Sequence, residues 1–307
     1  MNGQRSILVT GAGGFVGAAT VRAALAAGHR VMALVRKPGA ARLAGLSGDL
    51  SVNAADLADT AAISALLADL RPEIVIHSAW EGVSGGKRAG DVQFDNIRTT
   101  LSLVDAAIAS GLQKFVGIGS QAEYGRFDRR ISEDDLPQPT MLYGAAKFAA
   151  LHLTRQRTRE AGVDFAWLRL FAAYGPGDNP NWLIPSVTAS LVRGVAPKCS
   201  AGTQKWDYLH IDDAAAGILA AAVTPSATGV FNLASGEPVQ VRGIVEHLRD
   251  LAAPGLPLSF GDIAFGPDQI MHLEGDNSRL RAMTGWSPQI ALMDGLAAMV
   301  AAARHAA

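Results

Sequence analysis

Ser6-Ile7-Leu8-Val9-Thr10-Gly11-Ala12-Gly13-Gly14-Phe15-Val16-Gly17 passes from a short apolar, β-branched run into a cluster of glycines and then into an alanine-rich helical pattern. That order reads as strand, tight turn, helix. Three glycines have separate mechanical uses there: Gly11, Gly14 and Gly17 let the turn reverse, let the backbone approach a pyrophosphate, and let the new helix pack on its strand. The helix start aims unpaired N–H groups and the positive end of its dipole at the turn, so a phosphate can sit there. A dinucleotide is the expected guest.

Outward from this stretch the chain alternates. Arg30–Arg36 reads as a second buried strand, Leu50–Ala54 as a third, and Glu73–Ala79, entered through Arg71-Pro72, as a fourth. Helical patterns cover 61–70, 91–110 and 141–161, with strands at 114–119 and 164–171 between and after them. A glycine-rich loop from Gly82 to Gly90 carries Lys87 and Arg88. Such alternation gives a parallel sheet covered on both faces, with the ligand at the carboxyl ends of its strands. The fold class expected is α/β: a Rossmann-type doubly wound parallel sheet with a smaller α/β substrate lobe. The turn cluster Tyr174-Gly175-Pro176-Gly177-Asp178-Asn179-Pro180 ends the alternation. A boundary there puts 1–173 in the dinucleotide-binding domain and 174–211 with 236–307 in the smaller lobe. Residues 212–235 return to the main sheet as a helix, capped by Asp212 or Asp213, and a strand. In the smaller lobe, Trp206–His210 reads as one strand.

With 307 residues, 49% of them hydrophobic, the chain can bury a sizeable core. Its 27 basic and 28 acidic residues leave a net charge of −1 and no field for nucleic acid or an anionic membrane. Cys199 is the only cysteine, which excludes disulfides within the chain and cysteine-based zinc sites. His77 has no neighbouring His or carboxylate at metal-ligand spacing, and no metal is expected. A polar start and the lack of an apolar run of roughly 18 residues point to a cytoplasmic protein without a spanning helix.

Two further groups bear on chemistry. Arg36, with Lys37, stands just past the second strand, where an acid would take the ribose hydroxyls of NAD and a cation accommodates the extra phosphate of NADP. NADP(H) is favoured, with NAD(H) as the alternative. Tyr143-Gly144-Ala145-Ala146-Lys147 puts a phenol and an ammonium on one face of one helix. A positive charge beside a phenol lowers its pKa from about 10, as proton exchange near neutrality requires. Ser120, ending a central strand, can donate to the same substrate oxygen. A hydride delivered to a carbonyl carbon, with Tyr143 protonating the oxygen, would complete a ketone reduction.

The chain resembles the extended short-chain dehydrogenase/reductases, which include nucleotide-sugar epimerases, dehydratases and 4-ketoreductases. The matching pieces are Thr10–Gly17, Asp56-Leu57, Ile76-His77-Ser78-Ala79, Asn96, Ser120 ahead of Tyr124-Gly125, Tyr143 to Lys147, and Tyr174–Gly177. The resemblance implies Tyr143 as acid/base, and Lys147 as binder of the nicotinamide ribose and tuner of Tyr143. It implies Ser120 as polariser of the substrate oxygen, and Asn96 as support for a water or the backbone near Lys147. Thr10, Gly11, Gly14, Phe15, Val16, Gly17, Arg36, Asp56, Leu57, Ser78 and Ala79 would hold the cofactor. Trp80, Gln121, Lys198 and Trp206 would meet the substrate. The family pattern also implies a homodimer through a four-helix bundle made by the helices of 91–110 and 141–161, which carry more apolar residues than one covering face requires.

Three positions that commonly hold a substrate diphosphate are altered. Ala172 stands where asparagine is frequent, Trp206 where an arginine precedes an Asp-Tyr pair, and Gly266 where an arginine is expected near Pro267-Asp268. Each lost cation removes charge-assisted hydrogen bonds of about 1.5 to 3 kcal/mol; Lys198 and Lys205 are candidate substitutes. Gly119–Gly125, Ala79–Gly82 and Trp206–Leu209 look more like the deoxysugar 4-ketoreductase branch than the 4-epimerases. The leading expectation is an NADPH-dependent reductase of a ketone on a sugar nucleotide or a related polar ketone. An NAD-dependent nucleotide-sugar epimerase could use the same Ser120, Tyr143 and Lys147. A non-catalytic nucleotide-binding sensor is the reading from another class, and the Tyr143–Lys147 pair speaks against it. Gln121 and Ala122 stand where dehydratases place an acidic pair.

Overall fold

The computed structural model describes residues 3–37, 41–266 and 269–306; Pro267 and Asp268 lie outside them. Seven parallel strands form the main sheet: β1 (Ser6–Thr10), β2 (Arg30–Val35), β3 (Leu50–Ala54), β4 (Ile74–His77), β5 (Lys114–Ser120), β6 (Asp164–Leu170) and, after four short strands, β11 (Gly229–Leu233). Their order is β11-β6-β5-β4-β1-β2-β3. The chain therefore changes direction between β1 and β4, and a crevice opens above their carboxyl ends. Central strands of such a sheet are covered on both faces and read as unbroken apolar runs: Ile7, Leu8 and Val9 of β1 are fully buried.

Two helical layers do the covering. On one face α1 (Phe15–Ala26) lies beside α6 (Ile211–Val223), over Val9, Val31, Ile76 and Val116. On the other, α2 (Thr60–Leu70), α3 (Val92–Ala109) and α4 (Leu142–Glu160) pack over Leu8, Met32, Phe115 and Trp167. A separate core joins α5 (Leu183–Val192), α7 (Val241–Ala252) and α9 (Leu292–Ala306) through Ile184, Leu191, Ile244, Leu248 and Leu296. Short strands dress it: β7 (Ala172–Tyr174) beside β10 (Tyr208–His210), β8 (Lys198–Cys199) beside β13 (Ser259–Phe260), and β9 (Lys205–Trp206) between β12 (Val239–Gln240) and β14 (His272–Leu273). A last short helix, α8 (Ser278–Thr284), lies near β11 and α6.

Some boundaries differ from the sequence reading. The strand expected over Trp206–His210 is two strands in two sheets, broken at Asp207. The fully buried Asp207 carboxylate accepts from Ser235 N (2.7 Å) and Oγ (2.6 Å), Gly236 N (2.9 Å) and Gly275 N (3.0 Å), which turns the chain there. α6 is capped by His210, whose Nδ1 accepts from Asp212 N at 3.3 Å, and not by either aspartate. Asp213 instead accepts from Gln289 N and Ile290 N, tying the chain before α9 to α6. The fourth strand stops at His77, because Ser78 turns to donate to Thr10 O at 2.8 Å.

Candidate active site

The crevice above β1 and β4 is a cleft of about 930 Å³. Thr10, Gly11, Gly14, Arg36, Asp56, Leu57, Ser78, Ala79, Trp80 and Asn96 line it. Gly11 takes φ +64, and a Cβ there would lie 2.8 Å from Ala79 Cα. A Cβ on Gly17 would overlap the Gly11 carbonyl oxygen, so the helix meets its strand only as glycine. Gly17 is a packing residue outside the cleft. Phe15 and Val16 also turn their side chains away, toward Ala19, Ile211 and Ala215, and offer only helix-start N–H groups to a ligand. α1 has no side-chain cap and no acid in its first turn, which leaves that start free for a phosphate. The turn and the cleft fit a dinucleotide.

Behind the cleft runs a chain of buried hydrogen bonds. Thr10 Oγ1 meets His77 Nδ1 at 2.8 Å, His77 Nε2 meets Thr100 Oγ1 at 3.0 Å, and Thr100 Oγ1 donates to Asn96 O at 2.7 Å. Burial, helped by the charge of Lys147, holds His77 down to about 3, so the ring is neutral. Asn96 then clamps the Glu81 backbone from both sides, accepting from its N–H and donating to its C=O at 2.9 Å. The resemblance implied that Asn96 supports a water or the backbone near Lys147; its side chain holds the loop after β4. Across the mouth, the Arg36 guanidinium pairs with the Glu81 carboxylate, a bridge the sequence did not disclose. Arg42 ties the glycine turn to the smaller lobe, donating to Gly13 O (3.1 Å) and Gly177 O (2.8 Å).

Ser120, Tyr143 and Lys147 meet in a corner that the cleft does not reach, because the Trp80 indole stands between. Its face covers Lys147 Nζ at 3.8 Å from the ring centroid, and it meets Tyr143 edge-on at 6.4 Å. Gln93, fully buried, fixes this arrangement: it accepts from Trp80 Nε1 at 2.9 Å and donates to the carbonyls of Gly82 and Lys87 at 3.0 Å. Lys147 Nζ donates to Ile118 O at 2.6 Å. Burial lowers its pKa to about 7, with the Glu123 carboxylate opposing the fall. The phenol departs from expectation. Burial raises the Tyr143 pKa; Ser120 and the Arg88 guanidinium act to lower it, and Glu123 adds to the rise. Burial in this corner favours the neutral phenol.

Beneath Ser120 lies a buried ion pair that sequence reasoning passed over. Glu123 Oε2 accepts from Arg169 Nε at 2.8 Å, while Oε1 accepts from Ser120 N and Trp167 Nε1, both at 2.9 Å. Gly117 and Gly119 give the Trp167 indole its room, since a methyl at either would overlap it. Their spacing in Gly117-Ile118-Gly119-Ser120 was the one available signal. Gln121 follows Ser120, and its Oε1 is buried without a partner.

The remaining substrate candidates are elsewhere. Lys198 and Lys205 are exposed on β8 and β9, and Trp206 is half-buried, donating to Ile270 O at 3.3 Å and stacked on Tyr208. None of the three lines the cleft. Among the described residues no His, Cys, Asp and Glu gather to hold a metal ion, and no helix is long and apolar enough to cross a membrane.

A parallel sheet with a glycine turn at its switch point and a Ser-Tyr-Lys corner beside it defines an NAD(P)-dependent enzyme of the extended short-chain dehydrogenase/reductase type. The profile of the NAD dependent epimerase/dehydratase family matches residues 7–234, and the chain belongs to that family. It is similar to the dTDP-L-rhamnose 4-epimerase of Burkholderia thailandensis (28% identity, covering 95% of this chain and 93% of that protein). It is also similar to the GDP-6-deoxy-D-mannose reductase of Pseudomonas aeruginosa (28% identity, 96% and 95%). The structure of MoeE5 in complex with UDP-glucose and NAD superposes with a TM-score of 0.84 at 27% identity, over 98% of this chain and 99% of that one.

Proposed function

We propose that the protein reduces a ketone on a sugar nucleotide, of the 4-keto-6-deoxy type, with NADPH. The observation that carries the reading is Arg36: the end of β2 offers the cleft a cation and no acid. When bound, the nicotinamide supplies the hydride. Tyr143 gives its proton to the ketone oxygen, Ser120 donates a second hydrogen bond to that oxygen, and Lys147 holds the nicotinamide ribose once Trp80 yields its face. Asp56 and Leu57 border the adenine, Ser78 and Ala79 the nicotinamide side. Gln121, with an unpaired acceptor beside Ser120, takes a sugar hydroxyl. Trp206 and Lys198 serve the nucleotide end. Resemblance to a reductase of GDP-6-deoxy-D-mannose supports the substrate class.

A second reading is NAD-dependent epimerisation. The Arg36–Glu81 bridge favours it, since a cation already neutralised offers less to a 2′-phosphate, and MoeE5 binds NAD with UDP-glucose. One experiment separates them: the purified protein is given 4-keto-6-deoxy sugar nucleotides with NADPH or NADH, and UDP-glucose with no added reductant. NADPH consumption supports the reductase; interconversion of UDP-glucose and UDP-galactose without consumption supports the epimerase.

We also propose a homodimer through α3 and α4. Phe94 on α3, Leu153 on α4 and Met141 just before α4 are exposed apolar side chains on these two packed helices. Light scattering at tens of micromolar, a concentration of the order such interfaces require, should give twice the chain mass.

A further inference from the structure

We propose that Glu123 is the positioning residue of Ser120, the buried carboxylate that fixes the end of β5 so that the serine hydroxyl has one direction in which to give its proton. Three N–H donors converge on it: Ser120 N and Trp167 Nε1 on Oε1, both at 2.9 Å, and Arg169 Nε on Oε2 at 2.8 Å. An ionised carboxylate satisfies all three, whereas an amide would turn its own N–H groups against one of them. Two of the donors come from β6, whose register with β5 sets Trp167 beside Gly117 and Arg169 beside Gly119. A Cβ on Gly119 would overlap both Trp167 Nε1 and Glu123 Oε1, so the bare strand leaves the carboxylate its place. Glu123 is therefore anchored from the sheet, whatever Ser120 does.

The serine is held at two points. Its N–H is engaged by Glu123, and its Oγ accepts from Ala122 N at 3.2 Å, closing a reciprocal cap on the short turn Gln121–Glu123. With a lone pair of Oγ engaged in this way, its proton is left for Tyr143, whose phenol it meets by hydrogen bond. Against the rise that burial imposes on the Tyr143 pKa, that bond is the larger of the two lowering influences. Through space the Glu123 carboxylate does the reverse: its charge opposes ionisation of the phenol and supports that of Lys147. The two actions predict opposite signs. Loss of the charge alone would make Tyr143 a stronger acid, whereas loss of the anchor lets Ser120 turn from the ketone oxygen and slows the reaction.

The inference rests on Ser120 donating to the ketone oxygen in the proposed reduction. With a 4-keto-6-deoxy sugar nucleotide and NADPH, Glu123→Gln in the full-length protein should lower kcat and kcat/KM together by about 10- to 100-fold, the cost of misplacing a group in the transition state. The KM of the ketone and the calorimetric affinity for NADPH should stay within about twofold. Ser120→Ala should cost about 10²-fold or more. In that background Glu123→Gln should remove less than about threefold further, because a residue acting through Ser120 has nothing left to position. Glu123→Leu with Arg169→Met leaves no lone guanidinium to unfold the chain, and should show the same loss and the same silence beside Ser120→Ala. The anchor is also read without substrate: the Ser120 amide proton, bonded to a carboxylate, should move upfield in the NMR spectra of both Glu123 variants. An unmoved amide signal, additive losses, or a kcat that is unchanged or raised in the Glu123 variants would overturn the proposal and leave the reductase standing. Ser120→Ala at full turnover would instead remove the serine from the reaction, and the role of Glu123 with it.

Discussion

The cleft and the corner beside it are built on opposite plans. The cleft is made of backbone: glycines at fixed places, a helix start, and an exposed ion pair at its mouth. The corner is made of side chains stacked on one another, with Trp80 over Lys147, Arg88 over Tyr143, and Glu123 locked between Arg169, Trp167 and Ser120. A backbone site can accept a ligand with movement only of the side chains at its mouth. A side-chain site, filled by its own contacts, must exchange one set for another.

The largest effect that can break this contrast is Tyr143→Phe. Turnover should fall by about 10² to 10⁴, or about 2.7 to 5.5 kcal/mol in barrier, while cofactor affinity by calorimetry stays within twofold or so, because the cleft does not include the phenol. Full turnover would show that the corner is not catalytic.

Stability should divide in the same way. Glu123→Gln leaves the Arg169 charge buried without its partner and should cost about 3 to 5 kcal/mol in urea unfolding. Glu81→Gln removes an exposed pair and should cost no more than about 1 kcal/mol. Equal costs would erase the distinction between stored and surface charge.

Acid should unfold the back of the cleft through His77. Its folded pKa lies near 3, below the 6.5 of a free imidazole, so its contribution to stability is complete above 6.5 and drains away as the pH falls toward 3. By pH 4 the loss should be about 3 kcal/mol, at 1.36 kcal/mol per unit. His77→Gln, started from its own neutral stability, should lose less over the same interval in acid titrations followed by circular dichroism.

Cofactor preference should shift less, at the mouth. Arg36→Asp should remove roughly 1 to 3 kcal/mol of preference for NADPH over NADH. Equal binding of both cofactors by the unaltered protein would defeat the NADP assignment.

The difference in construction also explains what could be read from the chain. The glycine turn, the strands and the return of β11 were legible because backbone geometry restricts residue type, and Gly11 and Gly17 tolerate no substitute. Tyr143, Lys147 and Ser120 were legible as a pattern that resembles a family. Their environment was not. Gln93 sits unmarked inside a helix, Arg88 in a loop, and Glu123 in a motif whose neighbours drew the attention; each acts through contacts with residues far away in sequence, which no local period records. The segment Trp206–His210 read as one strand for the same reason, because nothing local announces that Asp207 will be surrounded by donors from Ser235, Gly236 and Gly275.

The bridge between Arg36 and Glu81 has a consequence for ionic strength. It joins the ends of β2 and β4 across β1, over the place a dinucleotide must enter. A ligand with a 2′-phosphate trades one exposed ion pair for another, so screening weakens what is lost and what is gained together, and its affinity should change little as salt rises toward 0.15 M, where the Debye length is about 8 Å. A ligand with only ribose hydroxyls there breaks the bridge and gains no charge in return. Its binding should improve with salt, which makes the ionic medium, and not only the side chain at position 36, a determinant of which cofactor the enzyme holds.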